Sequence, residues 1–369
     1  GRNDACLLLS RRLSSNPRRN LRMGFGQFAA ATQFYLYGRR HCTATGWKRA
    51  AACYGGGEDL KAISLAGLVF AVTGANSGVG LTLSNFLAER GASVFMVCRS
   101  RERAEKARDS IVAETGNDKV QLIIADMSLK ADVHRCAEEI AAQTPHLDGL
   151  ICNAGVLLNE RTETTDGLEV TFATHLVFGV YTLTRLLLPS LQKASAPRVL
   201  FVSSGGMYNS AWPGAAKAGS TDGEKYDGNM AYVYAKRGQV LLAERLSTKV
   251  PDVTFVTCHP GWTDTPAVEA AYGKQKRLLE PMRTPWQGTE GIAWLCACKR
   301  SELVGGEFYL DRSPQRKHLA GAFFTEGSFT KNTPAQVDEM MDTLQALSGL
   351  PPLDETPKVM ATPAPAEVM

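Results

Sequence analysis

Between Leu65 and Leu310 the chain alternates short β-branched runs with longer helical stretches, and this alternation restricts it to a doubly wound α/β domain built on a mainly parallel sheet. Seven runs read as strands: 68–73, 93–98, 120–125, 147–152, 198–203, 253–258 and 307–310. The first, LVFAVT, passes directly into Gly74-Ala75-Asn76-Ser77-Gly78-Val79-Gly80 and then into a helix through Arg90 that Gly91 closes.

The glycine spacing is T-G-x-x-x-G-x-G. Gly74 permits a tight turn off the strand, Gly78 lets backbone approach a pyrophosphate, and Gly80 allows the helix to pack closely, with the phosphates facing the helix N-terminus. Such a motif is weak alone. On a strand-turn-helix at the first of seven strands it is a specific sign of dinucleotide binding, and Asn76, Ser77 and Val79 belong to the same cradle.

Further groups follow in order along the chain. Asp126 and Met127 follow the third strand, where the carboxylate can meet an adenine, and Asn153-Ala154-Gly155 follows the fourth. Ser203-Ser204 closes the fifth strand, Tyr232-Val-Tyr-Ala-Lys236 opens a helix, and Pro260-Gly261 follows the sixth strand with Thr265 just beyond. Taken as an ordered set over residues 60–320, these motifs resemble the short-chain dehydrogenase/reductase family. The segments KRGQVLLAERL, HPGWTDTPAV and FYLDRSPQRKHL are similar to its retinol-dehydrogenase-like branch.

The resemblance implies one Rossmann domain, a nicotinamide cofactor and interconversion of a small-molecule carbonyl with its alcohol. Elementary chemistry supports the roles independently. Tyr232 and Lys236 are four residues apart and share a helix face, so the ammonium can favour the phenolate of a group that otherwise titrates near 10. Tyr232 then acts as acid/base, Lys236 lowers its pKa and binds ribose, and Ser204 orients the substrate oxygen while Ser203 packs inward. Thr265 is the residue expected at the nicotinamide carboxamide.

One departure stands out. Family members commonly carry an Asn in the long helix after the N-A-G turn, and here Phe172-Ala173-Thr174-His175-Leu176-Val177-Phe178-Gly179 has none. Two alternatives are open: His175 replaces the Asn, or one extra residue before Gly179 makes a bulge and the role moves elsewhere. The Gly-rich stretch after Ser204, with Met207, Tyr208 and Trp212, is expected to wall an apolar pocket. Trp262, Tyr272 and Trp286 are expected in a substrate lid.

Cofactor choice follows from charge. NAD selection uses a carboxylate after the second strand, but this chain places Arg99-Ser100-Arg101-Glu102-Arg103 there, so Arg99 favours NADP(H) over NAD(H) through a 2′-phosphate. No metal site is expected from the spacing of the six histidines and nine cysteines.

The net charge of +4 divides unevenly, with +9 in residues 1–50 and −5 in the rest. A mildly acidic body argues against nucleic acid as a partner. The first forty residues, rich in Arg and Ser and poor in acid, have the composition of a mitochondrial leader, the alternative being a cytosolic, membrane-associated protein. Aromatics at 25, 28, 34, 35, 37, 47 and 54 suit a helix docked on a membrane surface, on a protein complex or on the chain's own domain. The expected organisation is an N-terminal extension over 1–60, the Rossmann domain over 61–320, and a C-terminal helix with a Pro-rich tail over 321–369. A second functional reading, a nucleotide-binding accessory subunit of a mitochondrial membrane complex docked through these ends, follows from the missing Asn and the basic leader.

Overall fold

The computed structural model describes residues 25–219, 226–266, 268–269, 273–321 and 325–353. Tyr272, the leader before residue 25 and the Pro-rich tail from 354 lie outside the described residues.

Seven parallel strands, β1 (Val69–Thr73), β2 (Ser93–Cys98), β3 (Val120–Ile124), β4 (Gly149–Cys152), β5 (Arg198–Val202), β6 (Thr254–Cys258) and β7 (Phe308–Leu310), form one sheet with an eighth, β8 (Ser313–Gln315). The order is β3-β2-β1-β4-β5-β6-β7-β8. Only β8 runs antiparallel to its neighbour, pairing with β7 through Leu310 and Ser313. Sequence pattern misses it because SPQ has no apolar alternation. Its hairpin turns on Asp311 and Arg312, both at positive φ, a region Asp enters more readily than Arg, and ion pairs described below hold them.

Both faces of the sheet are covered, which is why β1, β4, β5 and β6 are buried throughout rather than alternating. On one face lie α3 (Gly78–Glu89), α4 (Arg101–Thr115) and α8 (Pro285–Ala297). On the other lie α5 (Lys130–Gln143), α6 (Val170–Leu191), α7 (Gly228–Lys249) and α9 (Pro334–Ser348), with Met340 and Leu344 of α9 fully in the core. Helix α6 is long and apolar enough to cross a membrane, but nearly all of it is buried in this domain. The buried Arg185 inside it donates to the Tyr181 hydroxyl and to the Pro351 carbonyl, tying the end of the described chain to α6.

β1 pairs with β2 on one side and β4 on the other, so the sheet's crossovers diverge between β1 and β4. A crevice opens there at the carboxyl ends of the strands, the position where open α/β sheets bind ligands. Around the neighbouring edge wrap α1 (Phe25–His41) and α2 (Ala44–Ala51), the latter capped by Thr43, whose hydroxyl accepts from the Gly46 N–H. Two buried ion pairs pin this N-terminal segment. Arg283 forks onto Asp311 at 2.5 and 2.7 Å and donates to the carbonyls of His41 and Cys42. Arg312 bonds Glu290 and Asp59 and lies over the Tyr54 ring.

Candidate active site

The glycine cradle is built as its spacing requires. A Cβ on Gly80 would sit 2.4 Å from the Gly74 carbonyl oxygen and 2.5 Å from Asn153 Nδ2, and one on Gly74 would sit 2.9 Å from the Cα of Ala154. Gly78 takes φ +52 with its bare Cα against the Thr265 side chain. Asn153 holds the turn from beneath by donating to the Thr73 and Gly74 carbonyls, while the Thr73 hydroxyl accepts from the N–H groups of Asn153 and Ala154. Ser77 is exposed at the N-cap of α3 and does not use its hydroxyl to cap the helix, whose first turn carries no acid. Bare backbone, an uncommitted hydroxyl and a helix N-terminus suit a dinucleotide pyrophosphate. The residues present therefore fit the nicotinamide cofactor that the sequence implies.

At the end of β2, Arg99 is exposed and lies 3.5 Å from Asp126 Oδ2, while Asp126 Oδ1 accepts from the Ser128 N–H and hydroxyl. Asp126 thus steadies Arg99. Met127 is buried, with its Cβ and its carbonyl oxygen against Gly179 of α6.

Ser204 and Tyr232 meet across Gly206. A Cβ there would stand 3.6 Å from Ser204 Oγ and 3.9 Å from Tyr232 Cδ1. Ser204 Oγ accepts from the Gly206 N–H, which leaves the hydroxyl hydrogen to donate. Ser203 is buried and donates to the Lys236 carbonyl, as expected of the inward serine. Lys236 is 3% exposed, donates to the Val202 carbonyl at 2.7 Å and lies 5.3 Å from the centre of the Tyr232 ring. Burial pushes its pKa down to about 7. Pro260 and Gly261 form the facing turn: Gly261 has φ +74 and donates to His259 Nδ1, and the Pro260 carbonyl accepts from Thr263. Thr265 follows, its hydroxyl accepting from the Val268 N–H.

The Asn-less helix carries a bulge. Residues Ala173–Thr182 form a π-helix, the geometry one additional residue produces inside an α-helix, and Thr182 Oγ1 reaches back to the Val177 carbonyl. His175 sits in it, fully buried, with Nε2 at 2.8 and 2.9 Å from the Val156 carbonyl and N–H and its ring edge-on to Tyr232 at 5.3 Å. Its Nδ1 has no hydrogen-bond partner among the described residues. Desolvation holds the imidazole pKa well below its ordinary value, so the ring is neutral.

Two aromatic assignments need correction. Met207, Tyr208 and Trp212 are at most 2% exposed and fill core clusters, so they do not line a pocket. They belong to a turn that folds inward because their apolar surface is larger than an exposed loop tolerates. Trp286 packs on Phe86 of α3, away from any lid. Trp262 remains beside the site, and its partners, Phe34 and Tyr35, come from α1. The aromatic spacing of the leader signalled that helix, but nothing local in the sequence signalled the surface it meets.

A glycine cradle fit for a dinucleotide, beside a Ser, Tyr and Lys at the carboxyl edge of a parallel sheet, is the arrangement of a nicotinamide-dependent oxidoreductase. The short chain dehydrogenase family model matches residues 68–276, and the chain belongs to the short-chain dehydrogenase/reductase family. It is 37% identical over 321 residues to dehydrogenase/reductase SDR family member 12 of Bos taurus, covering 85% of this chain and 96% of that protein. To retinol dehydrogenase 11 of Homo sapiens it is 30% identical, over 69% of this chain and 80% of that one. Among solved structures, a 3-ketoacyl-(acyl-carrier-protein) reductase from Brucella melitensis complexed with NADH is 26% identical, with TM-score 0.53 over 66% of this chain and 96% of that chain. A short chain dehydrogenase from Escherichia coli CFT073 complexed with NADPH, 24% identical with TM-score 0.52 over 63% of this chain and 92% of that chain, shares the fold.

Proposed function

We propose that this protein interconverts a carbonyl and its alcohol with NADPH as the favoured cofactor, on a small or lipophilic substrate. The observation that carries the reading is the convergence of Ser204, Tyr232 and Lys236 beside an intact glycine cradle. A bound nicotinamide supplies the hydride to the carbonyl carbon in reduction and receives it back in oxidation. The protein's own groups handle the oxygen. Ser204 donates a hydrogen bond to it, and the Tyr232 O–H delivers the proton that completes the alcohol. In its charged form Lys236 favours the phenolate that remains.

Support for NADPH comes from Arg99, an exposed guanidinium after β2, where NAD selection uses a carboxylate, and 3.5 Å from Asp126. The Arg/Ser-rich stretch before residue 25 supports a mitochondrial address. Purified protein assayed for NADPH oxidation across a panel of aldehydes and ketones, with Tyr232→Phe as control, tests the reading. Turnover lost in that variant is the expected result.

The missing Asn in the long helix, with the basic leader, also supports a second reading, a nucleotide-binding accessory subunit of a mitochondrial membrane complex. Tight NADPH binding with no turnover of any carbonyl would favour it over the first.

A further inference from the structure

The N-terminal helix is joined to both loops of the site. Against the serine loop, the Phe34 ring lies 2.4 Å from where a Cβ on Gly205, the residue after Ser204, would stand. Against the turn after β6, Tyr35 stacks on Trp262 at 6.0 Å, Phe34 meets the same indole edge-on at 6.3 Å, and Gly38 leaves room for it. Backbone staples fix the arrangement: the Trp262 N–H donates to the Cys42 carbonyl at 2.7 Å, and the Ala44 N–H to the Pro281 carbonyl at 2.9 Å. Behind them the Arg283 guanidinium binds the His41 and Cys42 carbonyls and Asp311 together.

The burial of these rings is unequal. Tyr208 and Phe308, on the inner side, are closed off, whereas Phe34, Tyr35 and Trp262 are only half-buried. A half-buried cluster of three aromatics, one of them packed on the residue next to Ser204, presents apolar surface beside the group that takes the substrate oxygen.

We propose that α1 is a wall of the substrate cleft, and that Phe34 and Tyr35, backed by Trp262, hold an extended apolar body whose carbonyl end reaches Ser204 and Tyr232. This rests on the oxidoreductase reading for the identity of that reacting end. The segment from Phe25 to Thr43 is then part of the site rather than a removable leader, and processing within it would open the cleft.

Binding can be read without turnover, because an alcohol and NADPH are both reduced and cannot react together. Calorimetric titration of octan-1-ol and butan-1-ol into the full chain saturated with NADPH should give at least tenfold tighter binding of the longer alcohol. Phe34→Ala and Tyr35→Ala should each weaken octan-1-ol at least fivefold and butan-1-ol less than twofold, with NADPH affinity unchanged. Phe34→Leu, which keeps an apolar group against Gly205, should retain most of the octan-1-ol affinity and guards against a folding defect in the alanine variant. The wall is overturned if the wild type binds neither alcohol or does not distinguish them, or if the variants weaken both equally. Octanal turnover is scored separately. Length-selective binding without any octanal reduction keeps the wall and sinks the oxidoreductase reading, whereas turnover with no length preference does the reverse.

Discussion

Lys236 places its ammonium 2.7 Å from the Val202 carbonyl and 5.3 Å from the centre of the Tyr232 ring, inside a region closed to water. Its native pKa is about 7, against about 10.4 for a free lysine. A group whose folded pKa is depressed in this way binds fewer protons native than unfolded between those two values. Stability from this residue therefore rises as pH climbs from about 7 to about 10 and is at its lowest below 7. Relative to Lys236→Met, the wild type should gain on the order of 2 kcal/mol between pH 7.5 and 9.5. Urea denaturation of both proteins at the two pH values checks this, and a constant difference would contradict the buried ammonium.

Ser204 accepts from the Gly206 N–H, which orients its oxygen and leaves the hydroxyl hydrogen to donate to a substrate oxygen. Ser204→Ala should lower kcat by roughly 100-fold, the scale expected for loss of one donor at a developing oxyanion. NADPH affinity, measured by fluorescence, should stay within a factor of about two, because Ser204 is not part of the glycine cradle.

Much of this site is local in sequence, and that explains how much of it could be read there. The turn at Gly74, the partners at 232 and 236, and the strand ends at 126, 153, 204 and 260 each depend on neighbours a few residues away. Other features depend on distant contacts. Phe34 and Gly205 are far apart in the chain, as are Arg283 and His41, and no periodicity announces which helix face meets which loop. The core placement of Met207 and Trp212 was hidden for the same reason, since glycine-rich composition looks like an open loop until tertiary packing closes it. β8 escaped because its two turn residues, Asp311 and Arg312, hold positive φ through ion pairs rather than through glycine.

Arg99 is the residue on which cofactor preference should turn. It is exposed and held only by a 3.5 Å contact to Asp126, so it is free to close on a phosphate. A charge-assisted hydrogen bond is worth about 1.5–3 kcal/mol, which converts to roughly ten- to a hundredfold. Arg99→Asp should shift the ratio of kcat/KM for NADPH over NADH toward NADH by that factor, with little effect on melting temperature. Steady-state rates with the two cofactors decide it. An unchanged ratio would mean that another group reads the 2′ position.

The Arg283–Asp311 pair can be tested by a substitution that changes charge but not shape. Asp311 sits at φ +51, a conformation that Asn tolerates well, so Asp311→Asn preserves the hairpin and removes only the carboxylate's charge. Arg283 is fully buried between the two, and in that variant its charge loses the partner that offsets its desolvation. Breaking a buried pair from one side typically costs about 3–5 kcal/mol. Arg283→Met alone should destabilise by a similar amount, because it strands Asp311 and removes one donor each from the His41 and Cys42 carbonyls. The double variant should be less destabilised than the sum of the two by about 1–3 kcal/mol, since each removal relieves the charge the other exposes. Chemical denaturation of the four proteins completes the cycle. Additive losses would show that the pair is not coupled.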